Sequence, residues 1–346
     1  MRLISGALAV LFLVACADTL PAARQSQPPT STAPGPASSG RVATSPAITP
    51  PAVTTLSFSC RLPFAQDVSP GQWRGGFIDF PSGVFTSDPS APRIPGYYDR
   101  AVSKWLPVPR NLVAPDGLHY AYTTGGIGQT PGPLRLHVVD AASGVDKVIP
   151  LALSDQQTYW VADYAPEGIY IESGWEVARY GSWRVDPIKG TLTDLGKQEH
   201  FVDDGTGHAW VAVFDARDPH PARSSMTGDP LPNEVGRRDL KTGTVEVWFY
   251  KPGFNVAPSG AFVDGGLLVW VEPSIADTSI ERRHEYWLAG APGMSRRIAY
   301  IEGGSGSLAD RHGIWMGSID GLYLITPDGN TQLVSNLRGD PGNGCV

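Results

Sequence analysis

The chain has 346 residues, 41% hydrophobic, 10% aromatic and only 18% charged, with 40 glycines and 32 prolines. That balance excludes a coiled coil, a helical bundle and a collagen. With 27 Lys and Arg against 34 Asp and Glu the formal charge is −7, so there is no basic footprint to hold a polyanion, and no nucleic-acid partner is expected.

At the N-terminus, Arg2 precedes an uncharged apolar run from Leu3 to Ala15. The run is too short to span a bilayer and reads as an export signal over residues 1–15. It ends in Leu13-Val14-Ala15-Cys16, which resembles the lipobox of bacterial lipoproteins. The resemblance implies that Cys16 is diacylated, becomes the new N-terminus and anchors the chain to a membrane on the extracytoplasmic side of the bacterial cell envelope. Acyl chains contribute about 0.8 kcal/mol per buried CH₂, so two or three of them hold a protein on a bilayer without any protein contact. Residues 16–54 are rich in Pro, Ala, Ser and Thr, as in Gln27-Pro28-Pro29-Thr30 and Ala33-Pro34-Gly35-Pro36. Too few apolar side chains are present to offset the entropy of ordering, which predicts a disordered, partly polyproline tether.

The folded region is expected over residues 55–346. With lipid on Cys16, Cys60 and Cys345 form an even pair in an oxidising compartment, and a Cys60–Cys345 disulfide is predicted.

From Thr55 onward, short apolar or alternating runs are punctuated by Gly and Asp turns with no long helical stripe, so the domain is predicted to be all-β. One turn type precedes a strand: Phe80-Pro81-Ser82-Gly83, Ala114-Pro115-Asp116-Gly117, Ala165-Pro166-Glu167-Gly168, Asp204-Gly205-Thr206-Gly207, a looser Ala257-Pro258-Ser259-Gly260, and Asp310-Arg311-His312-Gly313. A second type joins two strands and ends in Gly144, Gly190, Gly243, Gly293 and Gly329, stepping by 46, 53, 50 and 36 residues. That spacing suits a four-stranded propeller blade, and the tight hairpins call for glycine at positive φ. Ala114-Pro115-Asp116-Gly117 resembles the repeat of TolB-like and WD40-like propellers. Gly313-Ile314-Trp315-Met316-Gly317-Ser318 through Gly321-Leu322-Tyr323 resembles the repeat of two-component-regulator sensor propellers. A repeat-level resemblance implies a shape and no activity. The repeat length predicts a six-bladed β-propeller, with seven blades as the alternative. Leu56-Ser57-Phe58-Ser59-Cys60 is a candidate extra strand for the last blade, with the disulfide locking the seam.

Labelling the strands of a blade a to d from the axis outward, the tight a–b and c–d turns share one face. The b–c and d–a connections lie on the other. The b–c stretches Thr124–Pro133, Ser173–Gly181, Ala216–Pro232 and Pro273–Arg283 are long, and long irregular loops in a compact fold tend to carry function. Within them, Trp175, Glu176, His220, Arg223, Glu281, Arg282, Arg283 and His284, together with Asp155 and Gln157 of a d–a segment, mark a candidate binding face. Their mixture of aromatic, amide and charged groups suits a protein, peptide or carbohydrate ligand. The closest grouping of ligand types, His200, Asp203, Asp204 and His208, reads as a hairpin with turn aspartates. No metal, cofactor or catalytic signature is predicted. The tryptophans, including Trp105, Trp160, Trp183, Trp210, Trp248, Trp270, Trp287 and Trp315, are expected to pack between blades. The chain is thus read as a monomeric, lipid-anchored binding or scaffold module. The alternative is an extracytoplasmic propeller enzyme of lyase or glycosidase type, with its site at the central channel.

Overall fold

A computed structural model describes residues 52–346 except 127–131, 155–156, 176–177, 197–198, 204–205, 224–227, 229, 264, 274–282, 303 and 305. Cys16 and the expected export signal lie outside the described residues, as do all but residues 52–54 of the expected tether. Strands follow in chain order as β1 (Cys60–Ser69), β2 (Gln72–Phe80), β3 (Val84–Ser87), β4 (Tyr97–Asp99) and β5 (Lys104–Leu106). After a 3-10 turn at Arg110–Leu112 come β6 (His119–Thr124), β7 (Arg135–Asp140) and β8 (Asp146–Pro150). Next are β9 (Thr158–Ala165), β10 (Gly168–Trp175), β11 (Ala178–Val185), β12 (Leu192–Gly196), β13 (Glu199–Asp203), β14 (His208–Val213), β15 (Glu234–Asp239) and β16 (Val245–Tyr250). The last are β17 (Phe254–Val263), β18 (Gly266–Pro273), β19 (Arg283–Ala291), β20 (Met294–Glu302), β21 (Ser307–Asp310), β22 (Gly313–Ser318), β23 (Gly321–Ile325), β24 (Thr331–Ser335) and β25 (Gly339–Pro341).

These strands form six antiparallel blades, as the repeat length predicts. Blade III is β9 to β12, blade IV β13 to β16, blade V β17 to β20 and blade VI β21 to β24, each in sequential order. Blade II has β6, β7 and β8, and its inner strand is rudimentary: Val113 bridges Tyr120 and the Ala114 N–H donates to the His119 carbonyl. Blade I is composite, in the order β25-β1-β2-β3. The inner strands β9, β13, β17, β21 and β25 follow one another around the axis. The Tyr98 N–H donates to the Gly342 carbonyl at 2.9 Å, where the β4–β5 hairpin wedges between blades I and II.

Successive side chains on a strand point to opposite faces, and here each blade face meets a neighbour, so both sets are apolar. Leu136, Val138 and Ile149 of blade II interlock with Ile169, Ile171 and Val185 of blade III. Leu268, Tyr286 and Ile301 of blade V interlock with Ile314, Met316 and Ile325 of blade VI. Trp315, Leu322 and Leu324 of blade VI meet Leu62, Phe64 and Ile78 of blade I. Each such side chain contributes about 1.5–3 kcal/mol when fully buried.

The c–d turns of blades II, III and IV share one chemistry. The carboxylates of Asp140, Asp186 and Asp239 accept backbone N–H groups two or three residues on, and the N–H groups of Gly144, Gly190 and Gly243 close onto the aspartate carbonyls at 2.8 Å. Gly190 has φ +72°, a left-handed conformation that costs a residue with a Cβ energy. The expected positive φ is met at every glycine of the second motif.

Several local assignments differ from expectation. The seam closes in the first blade: the C-terminal β25 pairs with β1, whereas Leu56–Ser59 forms no strand and meets blade VI through side chains, Phe58 stacking on His312 with centroids 3.9 Å apart, while the Thr54 N–H donates to the Leu333 carbonyl at 2.7 Å. The predicted Cys60–Cys345 disulfide is present, with Cα atoms 5.4 Å apart, and ties the start of β1 to the chain end after β25. Phe80–Gly83 is a c–d turn, because β2 and β3 are the outer strands of their blade. Ala257–Gly260 lies inside β17 at a register shift, and the a–b turn falls at Gly265. Ser173–Gly181 is mostly paired strand of β10 and β11, and adds no long loop. The tryptophans fall on a, b, c and d strands and, at Trp105, on the β4–β5 hairpin.

Candidate functional site

Strand direction places the ends of β6, β10, β14 and β18, and the starts of the inner strands, on the face opposite the Asp-Gly turns. Long b–c connections on this face belong to blade II, over 125–134, and blade IV, over 214–233. The corresponding connection of blade V, 274–282, lies outside the described residues. Blades I and VI join b to c with two-residue turns, Pro70-Gly71 and Ile319-Asp320.

The blade IV connection is built on two buried polar side chains. Asn233 is fully buried; its Nδ2 donates to Asp218 Oδ2 at 2.9 Å and its Oδ1 accepts the Asp215 N–H at 2.8 Å. Asp218 also accepts the N–H groups of His220 at 2.9 Å and Gly253 at 3.0 Å. These bonds, the His220 N–H first, hold its carboxyl below the usual range. Asp215 is likewise lowered, chiefly by hydrogen bonds from Arg217. A short bridge between Arg223 and Pro230, with the Ala222 carbonyl accepting the Leu231 N–H at 2.8 Å, joins the two limbs of the connection. Hydrogen bonds to an ionised carboxylate are stronger than those between neutral groups and directional, which fixes the loop geometry at this point. His220 and Arg223 stand exposed on this frame, the Arg223 Nη1 donating to the Gly228 carbonyl.

The other predicted face residues are dispersed. Gln157 precedes β9 and its Oε1 accepts the Tyr159 hydroxyl at 3.2 Å. Trp175 ends β10 and Arg283 starts β19, and their side chains are outside the described set. His284 is half-buried beside Trp270, with ring centroids 5.1 Å apart, and its Nε2 lies 3.6 Å from Glu272 Oε1. Asp155, Glu176, Glu281 and Arg282 lie outside the described residues. So does Asp204 of the His200–His208 grouping; His200 and Asp203 fall on β13 with side chains not described.

A second concave site was not anticipated residue by residue. The axis holds a cavity of about 770 Å³ lined by Tyr97, Arg110, Trp160, Asp163, Tyr164 and Asp340, among others. Arg110 sits 5.3 Å over the Tyr97 ring and donates to the Val113 carbonyl. Asn111 Nδ2 donates to the Ala162 carbonyl at 2.7 Å, tying the 3-10 turn to β9. Burial raises the Tyr97 and Tyr164 phenols, so both remain hydrogen-bond donors at neutral pH. Ser259 Oγ is buried without a hydrogen-bond partner among the described residues, and Glu172 is buried at the cavity wall. The sequence holds no local signal for this gathering, because β9 of blade III, β25 of blade I and the insertion before blade II come together only in the fold. No group of three or more metal-ligating side chains occurs among the described residues.

No protein-family model matches the chain, and no curated protein matches it. Among solved structures it is similar to TolB from Acinetobacter baumannii, at 11% identity and TM-score 0.43 over 81% of this chain, which spans 63% of the TolB chain. It is also similar to an uncharacterized protein from Listeria monocytogenes EGD-e, at 11% identity and TM-score 0.42 over 84% of this chain and 86% of the other. A chain of a nidogen/laminin complex is similar at 8% identity and TM-score 0.41, covering 78% of this chain and 91% of its own.

Proposed function

We propose that this protein is a lipid-anchored propeller of the bacterial cell envelope, acting as a monomer, whose loop-bearing face recognises a protein, peptide or carbohydrate partner. The observation that carries the recognition role is the 214–233 connection. A buried Asn233–Asp218 pair is an expensive way to shape a surface loop unless the shape is used, since each buried polar group must be matched or costs about 1–3 kcal/mol. The loop so shaped presents exposed His220 and Arg223, and arginine is enriched at the centre of protein interfaces. The anchor rests on Leu13-Val14-Ala15-Cys16. Replacing residues 216–230 by a short Gly-Ser turn is expected to abolish capture of envelope partners while leaving the melting transition in place. Undiminished capture rejects this face. Mass spectrometry of the mature N-terminus tests the anchor: an acylated Cys16 supports it, and an intact or unlipidated N-terminus rejects it.

A second reading places chemistry in the axial cavity, where Arg110, Asp163 and the protonated phenols of Tyr97 and Tyr164 converge. Loss of a measured lyase or glycosidase activity in Arg110→Ala and Asp163→Asn, with partner capture retained, distinguishes it from the first.

A further inference from the structure

Blade II carries a polar relay that neither reading uses. His137 on β7 lies between Asp146 at the start of β8 and Thr124 at the end of β6. Its Nδ1 is 2.8 Å from Asp146 Oδ2 and its Nε2 is 2.9 Å from Thr124 Oγ1. Tyr122 stacks on the imidazole, with centroids 4.6 Å apart and planes 5° from parallel.

The chemistry of the partners sets the direction of the chain. An ionised carboxylate only accepts hydrogen bonds, so the Nδ1 facing Asp146 carries the proton. In the neutral ring Nε2 then holds the lone pair and accepts from the Thr124 hydroxyl. This is the polarity that a base needs toward a nucleophile: hydroxyl to imidazole, with the imidazole oriented by a carboxylate. Register makes it possible, since Tyr122 stands opposite His137 and Asp146 opposite Val139. His137 and Tyr122 therefore share one sheet face, with Asp146 diagonal to the histidine. The His137 side chain is 13% exposed and that of Asp146 35%, so the relay is sheltered yet reachable from solvent. On the same face Val148 remains 45% exposed, because the β4–β5 insertion covers only the inner part of the blade around Tyr120 and Ala141.

We infer that Thr124, His137 and Asp146 form an acyl-transfer site that hydrolyses activated carboxylic esters. Thr124 Oγ1 attacks the ester carbonyl carbon while its proton passes to His137 Nε2. The tetrahedral adduct collapses by breaking the bond to the leaving alcohol, which takes that proton. Water then adds to the acyl-threonine, giving a proton to Nε2. The carbon–Oγ1 bond breaks and Oγ1 recovers the proton, so ester and water become acid and alcohol. Asp146 stays ionised throughout and holds the ring.

The test uses the full chain with p-nitrophenyl acetate, following nitrophenolate release and mapping acetylated peptides. A burst approaching one equivalent, with acetyl on Thr124, is expected. Thr124→Val should abolish it, and His137→Gln and Asp146→Asn should each slow it by about 10³-fold or more. Thr124→Ser, which keeps the hydroxyl, should restore it in a protein with the same melting transition. No burst in the parent chain, acetyl mapped elsewhere, or a burst surviving Thr124→Val overturns the site. The Thr124→Ser arm separates loss of chemistry from loss of fold.

Discussion

Blades VI and IV are the same four-stranded wedge put to opposite uses. In blade VI, b meets c through Ile319-Asp320, and every residue of β22 and β23 is buried. Its Asp310 carboxylate accepts Trp315 Nε1 at 2.9 Å and the N–H groups of His312 and Cys345 at 2.8 Å. In blade IV the same connection runs over 214–233, the outer strand exposes Val245, Val247 and Tyr250, and the multiply bonded Asp218 carboxylate lies inside the loop. One aspartate fastens the ring and the other shapes a surface. The pair shows that a propeller can hold its wedge constant and place its variation in one connection, since the blade core does not depend on what joins b to c.

The largest effect should come from cutting the fastening. Replacing both Cys60 and Cys345 by Ser releases a bond across 285 residues of sequence, for which chain entropy predicts a loss of about 5 kcal/mol. Denaturant unfolding of the double variant measures it. An unmoved midpoint would mean that the seam is held by its noncovalent contacts alone, among them the shared core of blades VI and I, Val346 N–H to the Arg61 carbonyl and Arg100 to the Gly344 carbonyl. The blade contrast then sharpens at two tryptophans on matching b strands. Trp315 donates to Asp310, whereas Trp210 Nε1 is buried with no partner among the described residues. Trp315→Phe should therefore cost about 1–2 kcal/mol more than Trp210→Phe, the former losing a hydrogen bond to a charged group and the latter removing an unmet donor. Equal costs, measured by the same unfolding curves, would erase the distinction.

In blade IV the expected damage is local. Asn233→Leu strips Asp218 and the Asp215 N–H of their partner at a site with no exposure, a cost of about 1–3 kcal/mol. That cost should show as protease cleavage within 214–233 and faster amide exchange there, with β22 and β23 unchanged. Protection lost equally in both blades would indicate that the loop is part of the global core.

How much of this was legible in the residues depends on range. The Gly and Asp turns announced the blades because their chemistry is local: Asp186 and Gly190 meet within one turn. Blade count and disulfide followed from spacing and parity. The composite first blade was misplaced because β25 is a three-residue strand with no alternation to read. Ser173–Gly181 looked like a loop because its glycines and serine imitate one, yet the flanking strands pair through them. The axial cavity and the Thr124–His137–Asp146 relay were invisible because each depends on cross-strand register, which no single strand encodes. His137 and Trp183 hold corresponding places on the c strands of neighbouring blades, and only the pairing reveals that one of them meets a carboxylate.

The smallest effect is also the most diagnostic of the blade IV loop, because its carboxyls act in opposite senses as pH changes. Burial, followed by the charge of Asp215 and a hydrogen bond to it, raises the Glu234 carboxyl above 4.5, and Arg217, 3.7 Å away, only partly opposes this. The folded chain thus holds this proton more tightly than the unfolded chain does. The resulting stability is fully present below pH 4.5 and is lost as pH rises through the folded value. Asp215 and Asp218 act in the opposite sense: their carboxyls are lowered from 3.8, so their contribution is present above that value and fades as pH falls through the depressed ones. Glu234→Gln should flatten the decline above pH 4.5 and leave the loss below pH 3.8 intact. Denaturant midpoints for both proteins from pH 3 to pH 7 would test this. A variant whose curve runs parallel to that of the parent would mean that Glu234 ionises in the fold as freely as in the open chain, and that the loop's carboxylates are solvated rather than built into its frame.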